Sequence, residues 1–201
     1  CLWRTRDDAA GETLDKVGQV LGLAYPAGPE IDRLAREGDP HALRLPRPRL
    51  RGDARAFSFS GLKSAAIRHL RESGLDGPDP PQEAVRDFAA SLQEAVVDQL
   101  LAPLPELVQL HRPELVTAAG GVAANSRLRQ RLVATAAELG LEALVAPRPL
   151  CTDNGAMIAR AGQLAHGRGE RHDPRRLDAR PRQPWQPPGM RRAPVAESRC
   201  P

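Results

Sequence analysis

Three sets of residues in this chain have types and spacing that suit chemistry. Asp15 and Asp32 flank a turn that contains Gly28. Two carboxylates beside a close backbone approach suit the paired hydroxyls of a sugar, because an ionised carboxylate only accepts hydrogen bonds. Two solvated helix carboxylates are the plainer reading, and spacing alone favours it. The second set is Gly120-Gly121 followed by Asn125-Ser126. An apolar run over 115–119 stops at two residues without a Cβ, and helix-capping side chains follow. A strand, a Gly-Gly turn and a helix aim free backbone N–H groups at a phosphate or nucleotide. An ordinary tight turn between strand and helix fits the same residues equally well. The third is Asp153, placed where a connector becomes a helix. It reads as a metal ligand or as a helix cap, and spacing alone favours the cap.

One carboxylate is no metal site by itself, since a divalent ion needs further His or carboxylate ligands. His41, His69, His111, His166 and His172 show no HxxxH or HxH spacing. Cys1, Cys151 and Cys200 are odd in number and widely separated, so they make neither a disulfide framework nor a CxxC site. No GxSxG, HExxH or Walker sequence is present.

The elements that must position these groups follow from apolar periodicity. A helix is expected over 8–23, with Leu14, Val17, Val20 and Leu21 on one face and Asp7 and Asp8 near its positive end. Tyr25-Pro26-Ala27-Gly28-Pro29 supplies a turn, and a short helix over 30–37 turns Ile31 and Leu34 inward. Residues 38–55 form a Pro- and Arg-rich loop holding Arg44, Arg47, Arg49, Arg51 and Arg55. No aromatic residues interleave with them as single-strand RNA stacking would want, so a solvated loop is the better reading. A strand over 57–60 and a helix to about 73 precede a break. The longest helix covers 82–101, with Val85, Phe88, Leu92, Val96 and Leu100 as its stripe. Pro103 and Pro105 should end or kink it, leaving one further turn over 107–110. The run 115–119 reads as a buried strand. The helix after Asn125-Ser126 carries Leu128, Leu132, Val133, Ala136 and Leu139, and Gly140 stops it. A strand over 142–145 follows. Then comes a helix over 154–166, capped by Thr152 or Asp153, with Met157, Ile158, Ala161 and Leu164 inward.

With 201 residues, 41% hydrophobic but only 3% aromatic, the core must be built from Leu, Val and Ala. The formal net charge of +4 is uneven: the stretch from Arg168 onward holds 9 Arg against 4 acidic residues, leaving 20 basic against 21 acidic elsewhere. The charge is therefore weak evidence for nucleic-acid binding by the folded part. Residues 168–201 hold 7 of the 20 prolines and no apolar period, and are expected to be a disordered basic tail. No run approaches the ~20 apolar residues of a membrane span, no signal peptide opens the chain, and the cysteine usage fits a reducing cytoplasm. Opening on Cys1 rather than Met, the chain reads as a piece of something longer.

Six blocks in order carry a resemblance. They are Asp7-Asp8-Ala9-Ala10-Gly11-Glu12; Leu14-Asp15-Lys16; Tyr25-Pro26-Ala27-Gly28-Pro29 with Ile31-Asp32-Arg33-Leu34-Ala35; Phe57-Ser58-Phe59-Ser60-Gly61-Leu62-Lys63; Gly120-Gly121-Val122-Ala123-Ala124-Asn125; and Cys151-Thr152-Asp153-Asn154-Gly155-Ala156-Met157. Together they resemble the catalytic subunit family of the tRNA adenosine threonylcarbamoyltransferases, formerly called O-sialoglycoprotein endopeptidases. The resemblance implies an α/β fold of the actin/hexokinase (ribonuclease H-like) type. This chain would be the C-terminal lobe with its helical insertion over 1–167, part of an incomplete two-lobed fold.

The resemblance implies transfer of threonylcarbamoyl from threonylcarbamoyl-AMP to the exocyclic amine of the adenosine beside the tRNA anticodon. It implies Asp15, Gly28, Asp32 and Asn125 as substrate contacts and Asp153 as ligand of one divalent metal ion, iron first and zinc second. The implied partners are tRNA, a paralogous scaffold subunit and a small ATPase subunit, with no membrane involved. The family's HxxxH pair and first Ser-Gly-Gly loop are absent, and both are expected before Cys1. Ala27 stands where the family usually has Gly, a change that matters only if that backbone needs a positive φ. A non-catalytic scaffold paralogue and a sugar- or acetate-kinase-like ATPase are the competing readings. The intact Asn125 and Asp153 motifs argue against the first, and the 151–157 block against the second.

Overall fold

The computed structural model describes residues 2–48 and 55–170. The expected disordered tail therefore lies outside the described residues from 171 onward, as do Arg49 and Arg51 of the arginine loop. Residues Cys1–Met157 form one compact unit and Ile158–Pro201 a second.

The first unit is a mixed α/β structure. β1 (Arg4–Thr5) pairs in parallel with β2 (Ala56–Phe57). Between them lie α1 (Ala10–Val20) and α2 (Gly28–Ala35). α3 (Ser60–Glu72), α4 (Gln82–Leu101) and α5 (Leu104–His111) follow. β3 (Leu115–Ala118) pairs in parallel with β4 (Glu142–Val145), joined by a 3-10 turn over Gly121–Ala124 and α6 (Ser126–Glu138). α7 (Gly155–Gly167) crosses the boundary between the units.

The first unit is organised around α4. α4 is buried almost all round from Phe88 to Val97. One end of it packs with α1, α2 and α3, where Phe88, Ile31, Leu62 and Val17 are fully enclosed. Its other end, at Val97 and Leu101, meets Leu128 and Leu132 of α6 and the inner face of β3 and β4. A helix that is apolar on one stripe can face one neighbour, whereas one with Ala and Val between the stripe positions can be surrounded.

Several expectations change for tertiary reasons. β3 is not a buried strand: alternate residues of β3 and β4 are exposed, with Leu115 42% and Leu144 59% accessible, because α6 covers only one face of this pair. Val133 is exposed, so the buried stripe of α6 is Leu128, Leu132 and Ala136. Pro103 and Pro105 do end α4, but they open α5, which is longer than the single turn expected; proline is tolerated where the first N–H groups have no partner anyway. β2 ends at Phe57 and α3 begins by Ser60, so the strand over 57–60 is cut short. Met157, Ile158 and Leu164 of α7 are exposed instead of inward. An apolar period says that a face suits covering, not what covers it.

Asp7 does not serve the helix it precedes, whereas Asp8 joins that helix to a later one. Asp7 accepts hydrogen bonds from Phe59 N (2.8 Å) and Ser58 Oγ (2.6 Å) at the start of α3. Asp8 accepts from Lys16 Nζ (2.6 Å), from Ser60 Oγ (3.0 Å) and from Lys63 Nζ, tying α1 to α3. Lys16, then Lys63, hold the Asp8 carboxyl well below the usual carboxylate range, with burial opposing them. Lys16 is pushed up to about 12, by Asp8 first and Glu12 second. Because the folded pKa of Asp8 lies below the unfolded value of about 3.9, its contribution to stability is complete above that value. It is lost as the pH falls through and below it toward the folded pKa. The stability gap between the wild type and Asp8→Asn is expected to be widest at neutral pH and to shrink steadily below about pH 4. Urea titrations across the acid range check this; a gap unchanged by pH would show that the ion pairs add nothing.

Candidate functional site

A cavity of about 570 Å³ opens where α1, α2, the 3-10 turn after β3 and the connector after β4 converge. Its wall includes Asp15, Gly28, Asp32, Asn125, Arg36 and Arg148. Four residues that the sequence marks for substrate contact, from three separate parts of the chain, thus meet at one space. Asp153 is not on the wall. It is exposed, one residue beyond Thr152, which is.

Asp15 projects from α1 to the start of α2. Its Oδ1 accepts from Ala27 N at 2.9 Å and Gly28 N at 3.2 Å, satisfying donors that a helix start leaves without partners. Ala27 has φ of −83°, so the alanine substitutes for glycine without strain. Its side chain is fully buried against α1, where a Cβ at Gly18 would come within 2.3 Å of the Ala27 Cβ. Gly28 has no positive φ, and a Cβ there would meet nothing nearer than Asp15 Oδ1 at 4.0 Å. Neither backbone conformation nor packing demands glycine at 28; what a side chain there would fill is the cavity. Gly120 differs, since its φ of 94° suits a residue without a Cβ at the end of β3.

Asp32 and Asn125 face the cavity with their polar atoms engaged. Asp32 is 6% exposed. Its Oδ1 accepts from Ser126 N (2.9 Å) and Ser126 Oγ (2.6 Å), and its Oδ2 from Arg36 (2.8 Å). This carboxylate fastens α2 to the first turn of α6. Asn125 caps α6 as expected, its Oδ1 accepting from Leu128 N at 2.9 Å. Its Nδ2 donates to Gln93 Oε1 on α4 at 2.6 Å. Asn125→Ala is expected to lose about 1–2 kcal/mol through the cap alone. Chemical denaturation checks it; a loss below about 0.3 kcal/mol would show that the cap is redundant.

Asp153 is released from the capping role. The cap of α7 is Asn154, whose Oδ1 accepts from Met157 N at 3.0 Å while its Nδ2 donates to Thr152 O at 2.9 Å. The Asp153 carboxylate takes no hydrogen bond or ion pair among the described residues. Among the described residues no three His, Cys, Asp or Glu side chains gather as a metal site. The described residues do not make one alone, and Asp153 can supply one ligand at most.

Sequence reasoning missed the groups that hold these in place. Gln93 and Glu94 are buried on α4. Glu94 accepts from Arg127 Nε at 2.6 Å and pairs with Arg131, anchoring α6 to α4. Arg129 Nη1 donates to Ala123 O (3.0 Å) and Ala146 O (2.8 Å), joining the 3-10 turn to the end of β4. No local pattern announces these partners, because each lies on another element. Of the arginine loop, Arg47 pairs with Asp98 (2.8 Å) and Arg55 with Glu106 (3.6 Å), so both are surface ion pairs within the fold.

No helix among the described residues is long and apolar enough to cross a membrane. The chain matches the family model for tRNA N6-adenosine threonylcarbamoyltransferase over residues 2–160. It is 49% identical over 174 residues to a protein of that name from Anaeromyxobacter dehalogenans, covering 86% of this chain and 51% of the relative. It is 48% identical over 171 residues to one from Bacillus cereus, covering 85% and 49%. It is 42% identical over 170 residues to one from Clostridium botulinum, again covering 85% and 49%. The chain thus spans about half the length of the curated relatives it matches. With the family model covering most of the chain, and the motif residues converging on one cavity, this chain belongs to the tRNA N6-adenosine threonylcarbamoyltransferase family.

Proposed function

We propose that this chain is the nucleotide-holding part of a tRNA-modifying acyltransferase. The whole protein would transfer threonylcarbamoyl from threonylcarbamoyl-AMP to the exocyclic amine of the adenosine beside the tRNA anticodon, in tRNAs that read codons beginning with A. In that reaction the amine nitrogen attacks the carbamoyl carbon, the bond from that carbon to the phosphate oxygen breaks, and AMP leaves as the nitrogen gives up a proton. No covalent enzyme intermediate is required. The observation that carries the reading is the cavity shared by Asp15, Gly28, Asp32 and Asn125. Its volume suits a nucleotide. Asp15 and the open space over Gly28 suit a ribose edge, while Asp32 and Asn125 keep the walls in register through Ser126 and Gln93.

The finer reading of the fold is the C-terminal lobe, with helical insertion, of an actin/hexokinase-like protein. The proposed partners are tRNA, a paralogous scaffold subunit and a small ATPase subunit, in the cytoplasm. A divalent ion, iron first and zinc second, would serve as Lewis acid and template for the acyl-adenylate, with Asp153 as one ligand. The chain alone is expected to bind Fe²⁺ or Zn²⁺ weakly, since one exposed carboxylate does not hold such an ion. Calorimetric titration checks this, and a tight stoichiometric complex would overturn it.

The test of the function uses the full-length protein carrying this chain, its partner subunits, threonylcarbamoyl-AMP and unmodified tRNA. Mass analysis of the digested tRNA should show threonylcarbamoyladenosine. Its absence, when a known transferase yields it under the same conditions, would overturn the reading.

A further inference from the structure

The connector between β4 and α7 presents one cation to the cavity that no described residue neutralises. Four charged side chains line the space: Asp15, Asp32, Arg36 and Arg148. Asp32 and Arg36 form an ion pair at 2.8 Å. Asp15 is engaged with the backbone of α2. Arg148 makes no ion pair and no side-chain hydrogen bond among the described residues. From this arrangement we propose that Arg148 is a binding residue for the phosphate of the nucleotide that occupies the cavity, an inference that rests on the nucleotide reading above.

An exposed arginine is ordinarily a solvated cation, and the backbone around this one argues otherwise. Arg148 lies between Pro147 and Pro149, whose rings fix their own φ. Leu150 N donates to Pro147 O at 2.8 Å and Cys151 N to Arg148 O at 3.1 Å, closing a tight 3-10 turn. The buried Cys151 donates through Sγ to Ala146 O at 3.3 Å, bridging the two ends of the connector. Arg129 donates to the same Ala146 O at 2.8 Å and so ties this connector to the 3-10 turn that precedes Asn125. The main chain is held while the guanidinium is left open, so an anion that arrives must order the side chain but not the backbone. A guanidinium matches phosphate oxygens with two parallel donors. The cavity is thereby polarised. The Asp15 carboxylate suits hydroxyls and repels an anion, which directs the sugar toward α1 and α2 and the phosphate toward the connector.

The experiment compares adenosine and AMP as probes of the full-length protein carrying this chain, by calorimetry in the presence of a chelator. The wild type should bind AMP about tenfold more tightly than adenosine, an advantage that raised salt erodes. Arg148→Gln should abolish the advantage and leave adenosine affinity unchanged; Arg148→Lys should restore part of it. Circular dichroism confirms that each variant is folded. If Arg148→Gln keeps the AMP advantage, or weakens both probes equally, the assignment of Arg148 fails while the nucleotide reading stands. If neither probe binds the wild type, the nucleotide reading fails and the assignment with it.

Discussion

Asp153→Ala in the full-length protein is expected to cut threonylcarbamoyl transfer by at least two orders of magnitude while leaving the fold intact. The two halves of that expectation have separate causes. The carboxylate is exposed and holds nothing in place, and the cap of α7 is Asn154, so removing it should move the unfolding midpoint by no more than an ordinary surface substitution. The side chain nevertheless stands one residue past Thr152 at the cavity wall, where one ligand to a bound ion would act on the acyl-adenylate. Transfer rates and metal content of the purified variant are the measurements. Near-normal rates with the metal retained would remove Asp153 from the chemistry. A large loss of stability would instead show a structural role.

Asp32→Ala should do the reverse and act first on the fold. Its carboxylate joins α2 to α6 through two hydrogen bonds from Ser126 and one ion pair with Arg36. Hydrogen bonds to a charged acceptor contribute about 1.5–3 kcal/mol each, so a loss of about 3–6 kcal/mol is expected. The ion pair adds less, because Arg36 is half exposed and regains water. AMP affinity should fall more than tenfold, since the α2 and α6 walls of the cavity lose their shared anchor. Asp32→Asn keeps an acceptor for Ser126 and should recover most of the stability. Denaturant unfolding and calorimetry read the two effects. A stability loss under about 1 kcal/mol would mean that the walls are held elsewhere.

Much of this molecule was legible before any coordinate. The bounds of α4, the cap at Asn125 and the stops at Gly140 and before Pro103 all follow from interactions between residues at most four apart, which order in sequence already specifies. The motif blocks identified the family and named four residues that share a cavity. What those side chains touch was decided elsewhere. Asp7 and Asp8 read locally as helix-end charges, yet apart from the Asp8 pair with Lys16 their side-chain partners are Ser58, Phe59, Ser60 and Lys63, some fifty positions away. Asp32 reads as a solvated carboxylate, but Ser126 buries it. Asp153 reads as a cap, yet the next residue takes that role, because either side chain can reach the first turn and only the path of the connector selects one. Arg148 carries no signal beyond lying between two prolines, and its place at the cavity depends on Arg129 and Cys151 drawing the connector closed. Periodicity and capping are short-range and reside in the order of residues. Which carboxylate meets which donor across the chain is set only when the helices pack around α4.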